Sequence, residues 1–271
     1  MTPYFPAEGL KAGDVLLMKG IGQVSDLIAW FGDSIYSHAA IMCSSTHFVE
    51  AANPTSREVA LADRLQQTEY YDFIDAWRPT NSQGLALNNA QRQALADSVM
   101  QQLDVPYPLN DLLQLAVFAV LRNKIPMDDK LRWLLHELIN LLLKFDPGHM
   151  VCSELVYYAM QQAKLPPTIL VAAELDQPFP DIDVTKLIEE WLQDRHSNAD
   201  SVSLAAPPAQ PSISSSVLDQ HYQTFRKQRM TSTPGFNPYP ISDPNPANVM
   251  PVDIETSPQL RCLGRLALGR S

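Results

Sequence analysis

The chain has 271 residues, 20 basic and 30 acidic, for a net charge of −10. That length allows one or two domains, and the acidity excludes binding a nucleic-acid backbone through bulk charge. Hydrophobic residues make up 45%, enough for a sizeable core, and three cysteines (Cys43, Cys152, Cys262) are too few and odd in number for a disulfide framework, so free thiols are expected.

The first residues, MTPYFPAEGLKAGD, hold no basic stretch followed by an apolar one. Cytoplasmic synthesis without a Sec signal is therefore expected, with membrane association or a non-Sec export route left open. No apolar run approaches the length of a spanning helix. Residues 14–18 predict a strand after the Ala12-Gly13 turn signal, and residues 25–31 a short helix. Residues 37–43 and 47–51 predict a hairpin across Ser44-Ser45-Thr46. Residues 59–61 and 70–77 predict further strands, and 88–102 an amphipathic helix. Asp146-Pro147-Gly148 is a turn signal, and the helix expected over 153–163 is stopped by Lys164-Leu165-Pro166-Pro167. A last helix is expected over 184–194. From residue 197 the composition changes. Ten of the 22 prolines and the run Ser212-Ile213-Ser214-Ser215-Ser216 lie in 197–271, with one short helical pattern at 217–230. That segment reads as a mostly irregular tail, either disordered or laid over the domain.

Cys152 falls at the start of the helix expected after the turn. Free N–H groups and the positive dipole end at a helix N-terminus favour a thiolate over a thiol. An unperturbed thiol is only about 3% ionised at pH 7, so such a shift matters. The alternative is a buried cysteine packed as a small hydrophobe. His38 begins the first strand of the hairpin and Glu50 ends the second. With an index sum of 88 they face each other directly, on one face of the sheet. A carboxylate beside an imidazole fixes its tautomer and stabilises the imidazolium. Separately, such a His and Glu are ordinary solvated strand ends. Joined to a cysteine at a helix start, they make a nucleophile, a base and an orienting group.

Four segments carry a resemblance: Gly13-Asp14-Val15-Leu16-Leu17, Tyr36-Ser37-His38, Phe48-Val49-Glu50-Ala51 and Cys152-Ser153-Glu154-Leu155-Val156. In this order they resemble the circularly permuted NlpC/P60 hydrolases, a papain-like group in which the histidine strand precedes the cysteine helix. It includes YiiX-like proteins and lecithin:retinol acyltransferase-like enzymes. The resemblance, over about residues 10–165, implies Cys152 as nucleophile, His38 as base and Glu50 as the orienting third residue. In the lipid acyltransferases that third place is commonly a histidine, so Glu50 is closer to the YiiX-like pattern. Tyr36, in the histidine motif, is the candidate substrate contact.

Other motifs are weaker. His136-Glu137-Leu138-Ile139-Asn140 has asparagine where HExxH needs its second ligand. His38, Cys43, His47 and Cys152 lack compact zinc spacing. Gly20-Ile21-Gly22 lacks a third glycine, and there is no P-loop or G-x-S-x-G. Neither a metal nor another cofactor is expected. Residues 109–145 hold 22 apolar residues in 37, and the helix pattern at 131–144 leaves about 220° of its circumference apolar. This insertion is either a helical hairpin buried against the domain or a surface that meets lipid.

The expected fold is α+β: a permuted papain-like (NlpC/P60) domain over 1–196, with a small antiparallel sheet packed on the Cys152 helix. The helical insertion lies beside the cleft and the tail follows at 197–271. The expected function is cysteine-dependent acyl transfer or hydrolysis acting on lipid acyl esters, with a lipid or membrane surface as partner. Cleavage of an amide in a peptidoglycan peptide is the alternative, and a non-catalytic lipid- or peptide-binding module is a third.

Overall fold

The computed structural model describes residues 2–31, 34–52, 54–107, 151–169 and 251–269, with 180, 183, 186, 189, 190, 246 and 249. The apolar insertion at 109–145 and the helical pattern at 217–230 lie outside the described residues. Of the helix expected over 184–194, residues 186, 189 and 190 are described and are helical.

Among the described residues, six strands form one antiparallel sheet: β1 (Val15–Gly20), β2 (His38–Met42), β3 (His47–Glu50), β4 (Arg57–Ala60), β5 (Tyr71–Pro79) and β6 (Leu260–Arg265). Their order is β4-β3-β2-β1-β5-β6. The central strand β1 begins with four consecutive buried apolar residues, because both faces of the sheet are covered. Val15 and Leu17 point to one face with Ala39, Ile41 and Val49. Helices α3 (Asn89–Met100) and α4 (Cys152–Gln162) cover that face through Leu95, Val99, Leu155, Val156, Ala159 and Met160. Leu16 and Met18 point to the other face with Ala40, Met42, Phe48 and Ile74, under Leu10, Leu61 and Leu266. The alternation along each strand thus sorts the core into two layers. Asn88 starts α3 as its N-cap: its side chain accepts from Gln91 N–H at 2.9 Å, and the Gln91 side chain accepts from Asn88 N–H at 3.0 Å.

Two elements differ from the sequence expectation. Residues 59–61 read as a strand, but the strand ends at Ala60 and Leu61–Gln66 turns into helix α2. A six-residue helix offers fewer than two turns of periodicity, too little to distinguish it from a strand end. Helix α1 (Gln23–Phe31) begins two residues before its expected start.

The larger difference is at the C-terminus. The expectation made 197–271 a mostly irregular tail, disordered or laid over the domain, whereas residues 251–269 supply a helix and a strand of the sheet. Helix α5 (Pro251–Thr256) buries Val252 and Ile254, and β6 pairs with β5 along the edge of the sheet. The N-terminus closes that edge: Phe5 N–H donates to the Arg265 carbonyl, and Arg265 N–H to the Pro3 carbonyl, both at 2.8 Å. The prolines dominate the composition of the tail, while the strand signal occupies only its last few residues.

Gly264 makes this closure possible. Its φ is +136°, and a Cβ there would collide with the Pro3 carbonyl oxygen. Gly264→Ala is therefore expected to lower the stability of the whole domain by roughly 2 kcal/mol. Urea unfolding followed by tryptophan fluorescence would measure it. An unchanged midpoint would show that β6 is not part of the cooperative unit.

Candidate active site

Strands β2 and β3 supply the first half of the site. Ala40 pairs with Glu50, Ile41 with Val49 and Met42 with Phe48, an index sum of 90 rather than the expected 88. Ser44 sets this register. Its Oγ accepts from Thr46 N–H at 3.2 Å and His47 N–H at 3.0 Å, while the N–H groups of Cys43 and Ser44 both donate to the His47 carbonyl. His38 is therefore diagonal to Glu50, not directly opposite. A shift of two residues is one full side-chain period, so both remain on the same face. His38 Nε2 lies 2.9 Å from Glu50 Oε2.

Glu50 is only 1% exposed. A carboxylate that deep needs charged partners to stay ionised. Its second oxygen, Oε1, accepts from Arg64 Nη2 on α2 at 2.7 Å and from Arg57 Nε on β4 at 3.0 Å. Burial alone would raise its pKa. The hydrogen bond and charge of His38, then the charge of Arg64, outweigh burial and hold Glu50 well below the usual carboxylate range.

Cys152 is the first residue of α4. The helix is fixed to the sheet by Leu155, Val156 and Ala159, and its first turn is tied down twice. Glu154 Oε2 accepts from Val151 N–H at 3.2 Å, and Ser153 Oγ donates to the Val249 carbonyl at 2.8 Å. This brings Cys152 beside His38, close enough for each to shift the ionisation of the other. Because Nε2 is taken by Glu50, Nδ1 is the ring nitrogen left for the sulfur. Two backbone N–H groups also favour the thiolate: Ser153 within the helix, and Ala39 just beyond the last rung of the β2–β3 ladder.

Burial raises the pKa of a thiol, but the bond and charge of His38 and these N–H groups outweigh it, so that of Cys152 is lowered. Burial would likewise depress the His38 imidazolium. Its bonds to Cys152 and Glu50, and their charges, instead raise its pKa to about 9. Both shifts act in the direction of a thiolate–imidazolium pair. The other cysteines move the opposite way. Burial and Glu58 push Cys43 up to about 11, and burial and Asp75 raise Cys262.

The structure thus brings Cys152, His38 and Glu50 together. It does not leave Tyr36 available to a substrate. The Tyr36 ring is 3% exposed and edge-on to Phe73, and its hydroxyl donates to Asp75 Oδ2 at 2.8 Å. Burial, then the Asp75 charge, raises the Tyr36 pKa, so the phenol stays protonated as a structural donor. Sequence reasoning missed Arg64 and Arg57. The one signal for Arg64 is its place three residues after Leu61, on the buried side of α2. Among the described residues, no group of three or more His, Cys, Asp or Glu side chains is gathered to hold a metal ion, and no helix is long and apolar enough to cross a membrane.

No protein-family model matches the sequence, and no curated protein matches it. Among solved structures, the chain is similar to one described as the metalloprotein yiiX from Escherichia coli O157:H7, DUF1105. The two are 14% identical with a TM-score of 0.44, over 94% of this chain and 97% of that one.

The charge state of the pair is directly measurable. The difference in thiolate absorbance near 240 nm between the native chain and Cys152→Ala should be present at pH 7, where an ordinary thiol is only about 3% ionised. It should vanish as pH falls through the lowered Cys152 pKa. A difference that develops only above pH 8 would contradict the ion pair.

Proposed function

We propose that the chain is a thiol-dependent acyl hydrolase or acyltransferase, laid out as a permuted papain-like domain of the NlpC/P60 kind. The observation that carries this reading is one connected line: a cysteine at a helix N-terminus beside His38, whose Nε2 is 2.9 Å from a buried carboxylate.

In the first step the Cys152 thiolate attacks the substrate carbonyl carbon, and the carbonyl π pair moves to oxygen. N–H groups at the start of α4 stabilise that oxyanion. As the tetrahedral intermediate collapses, the bond to the leaving group breaks and the His38 imidazolium gives it a proton. A thioester on Cys152 and a neutral imidazole remain. In the second step His38 takes a proton from water or an acceptor alcohol or amine, whose heavy atom attacks the thioester. Collapse releases the acyl product and restores the thiolate–imidazolium pair. Glu50 keeps its charge throughout and orients the ring.

The proposed substrate is a lipid acyl ester. Its support is the composition of 109–145, since an acyl chain leaving a bilayer needs an equally apolar groove to break even. Residues Cys152 and His38 fix the pH dependence. Activity should fall on the acid side as the thiolate takes a proton, and on the basic side as His38 loses its own near pH 9.

With phospholipid vesicles, Cys152→Ala is expected to reduce fatty-acid release by about 10³-fold or more while vesicle binding persists. Cysteine-dependent cleavage of purified muropeptides with no release from lipid would move the substrate to a peptide amide. Turnover of neither would make the chain a binding module and overturn the catalytic reading.

A further inference from the structure

The ion pair beneath the site is costly and unexplained by folding alone. Arg64 is as deep as the carboxylate it meets, its side chain 3% exposed against 1% for Glu50. Its guanidinium lies between two aromatic rings, 4.6 Å from the centroid of Tyr71 and 5.2 Å from that of Phe48. Nη2 donates to Glu50, while Nη1 donates to the Tyr71 hydroxyl and reaches Met18 Sδ at 3.8 Å. Nε has no partner among the described residues. A buried ion pair generally stabilises no better than well-packed apolar residues of the same volume, and an unfilled buried donor adds to the cost. A leucine or methionine at 64 would serve the core. What it could not do is hold one oxygen of Glu50.

The two oxygens of Glu50 are divided between two tasks. Oε1 is taken by Arg64 and Arg57, and Oε2 alone faces His38. Without the grip on Oε1 the carboxylate is free to turn about its last bond, and nothing else on α2 or β4 fixes which oxygen meets the ring. Arg57 does not suffice, because its side chain is 51% exposed and an exposed ion pair is screened by solvent.

We propose that Arg64 is a positioning residue of the thiol site: by holding Glu50 Oε1 from beneath, it fixes Oε2 on His38 and so sets the imidazole. The proposal rests on the thiol-acyl reading of Cys152 and His38. The charged and titratable groups around His38 and Glu50 come from several elements: Cys152 from α4, Arg64 from α2, Arg57 from β4 and Tyr71 from β5. A variant that deletes the Arg64 charge would mix two effects, since losing a nearby cation by itself favours the imidazolium. Arg64→Lys keeps the charge and removes the fork, so it isolates positioning.

The experiment is a pH titration of His38 in the full chain by NMR of labelled histidine, its resonance assigned by its loss in His38→Gln. The native midpoint should be near 9. Glu50→Gln should lower it by about one pH unit, roughly tenfold in proton affinity. Arg64→Lys should lower it by a similar amount, and the double variant no further than Glu50→Gln alone. That non-additivity is what acting through Glu50 means, and a merely structural arginine would not give it. Tyr71→Phe, which frees Nη1 but leaves charge and ring, should shift the midpoint the same way by less. It carries the test if Arg64→Lys does not fold. A native midpoint in folded Arg64→Lys, or additive shifts, would overturn the role of Arg64. So would a native midpoint in Tyr71→Phe if that variant has to carry the test. Failure of the underlying reading looks different: His38 of the native chain would titrate near 6.5 and ignore Cys152→Ala.

Discussion

The site depends on a negative charge placed where water cannot reach it. Glu50 is almost fully buried, so it must be ionised against partners supplied by the protein. Three basic side chains surround it: His38 on one oxygen, and Arg64 and Arg57 on the other. The same carboxylate favours a protonated His38, and a protonated His38 in turn favours the Cys152 thiolate. Charge runs in sequence from Arg64 through Glu50 and His38 to the sulfur, and each group lowers the cost of burying the next.

Geometry for that chain comes from both faces of one sheet. By strand alternation, Glu50 belongs to the α2 face with Ala40 and Phe48, while Cys152 arrives on α4 from the opposite face. They meet through His38 because it is the first residue of β2, as Cys152 is the first of α4. Beyond the Ala40–Glu50 rung the ladder stops, which leaves the Ala39 N–H outside it, where it favours the Cys152 thiolate. The C-terminal segment also enters here. The Val249 carbonyl takes the Ser153 hydroxyl beside the nucleophile, and Glu255 accepts from Ser34 near the approach to His38. Chain far removed in sequence thus braces both arms of the site.

Much of this was legible in the sequence because it is local. Apolar runs and turn signals place β1, β2, β3, β5, α3 and α4 within a few residues, and the helix start at Cys152 follows from the preceding turn signal. The parity of His38 and Glu50 was also legible, since any even change of register keeps them on one face. Three features were not. The register itself depends on the Ser44 hydroxyl folding back on Thr46 and His47, a side-chain choice that residue type alone leaves open. Helix α2 is too short to show a period, so the arginine it delivers was hidden with it. Tyr36 sits in the histidine motif, but its hydroxyl is claimed by Asp75, 39 residues away and itself bonded to Arg265 from the far end of the chain. Such pairings are set by the assembled sheet and leave no mark on the local pattern.

The central claim is that Cys152, alone among the three cysteines, forms a bond to an acyl group. Its most direct test is to expose the full chain briefly to an activated ester such as p-nitrophenyl acetate at pH 7. The reaction is then quenched in acid and the acyl group located by peptide mass spectrometry. The account predicts a thioester on Cys152, with Cys43 and Cys262 unmodified. An unmodified Cys152, or an acyl group distributed over the other two thiols, would contradict it.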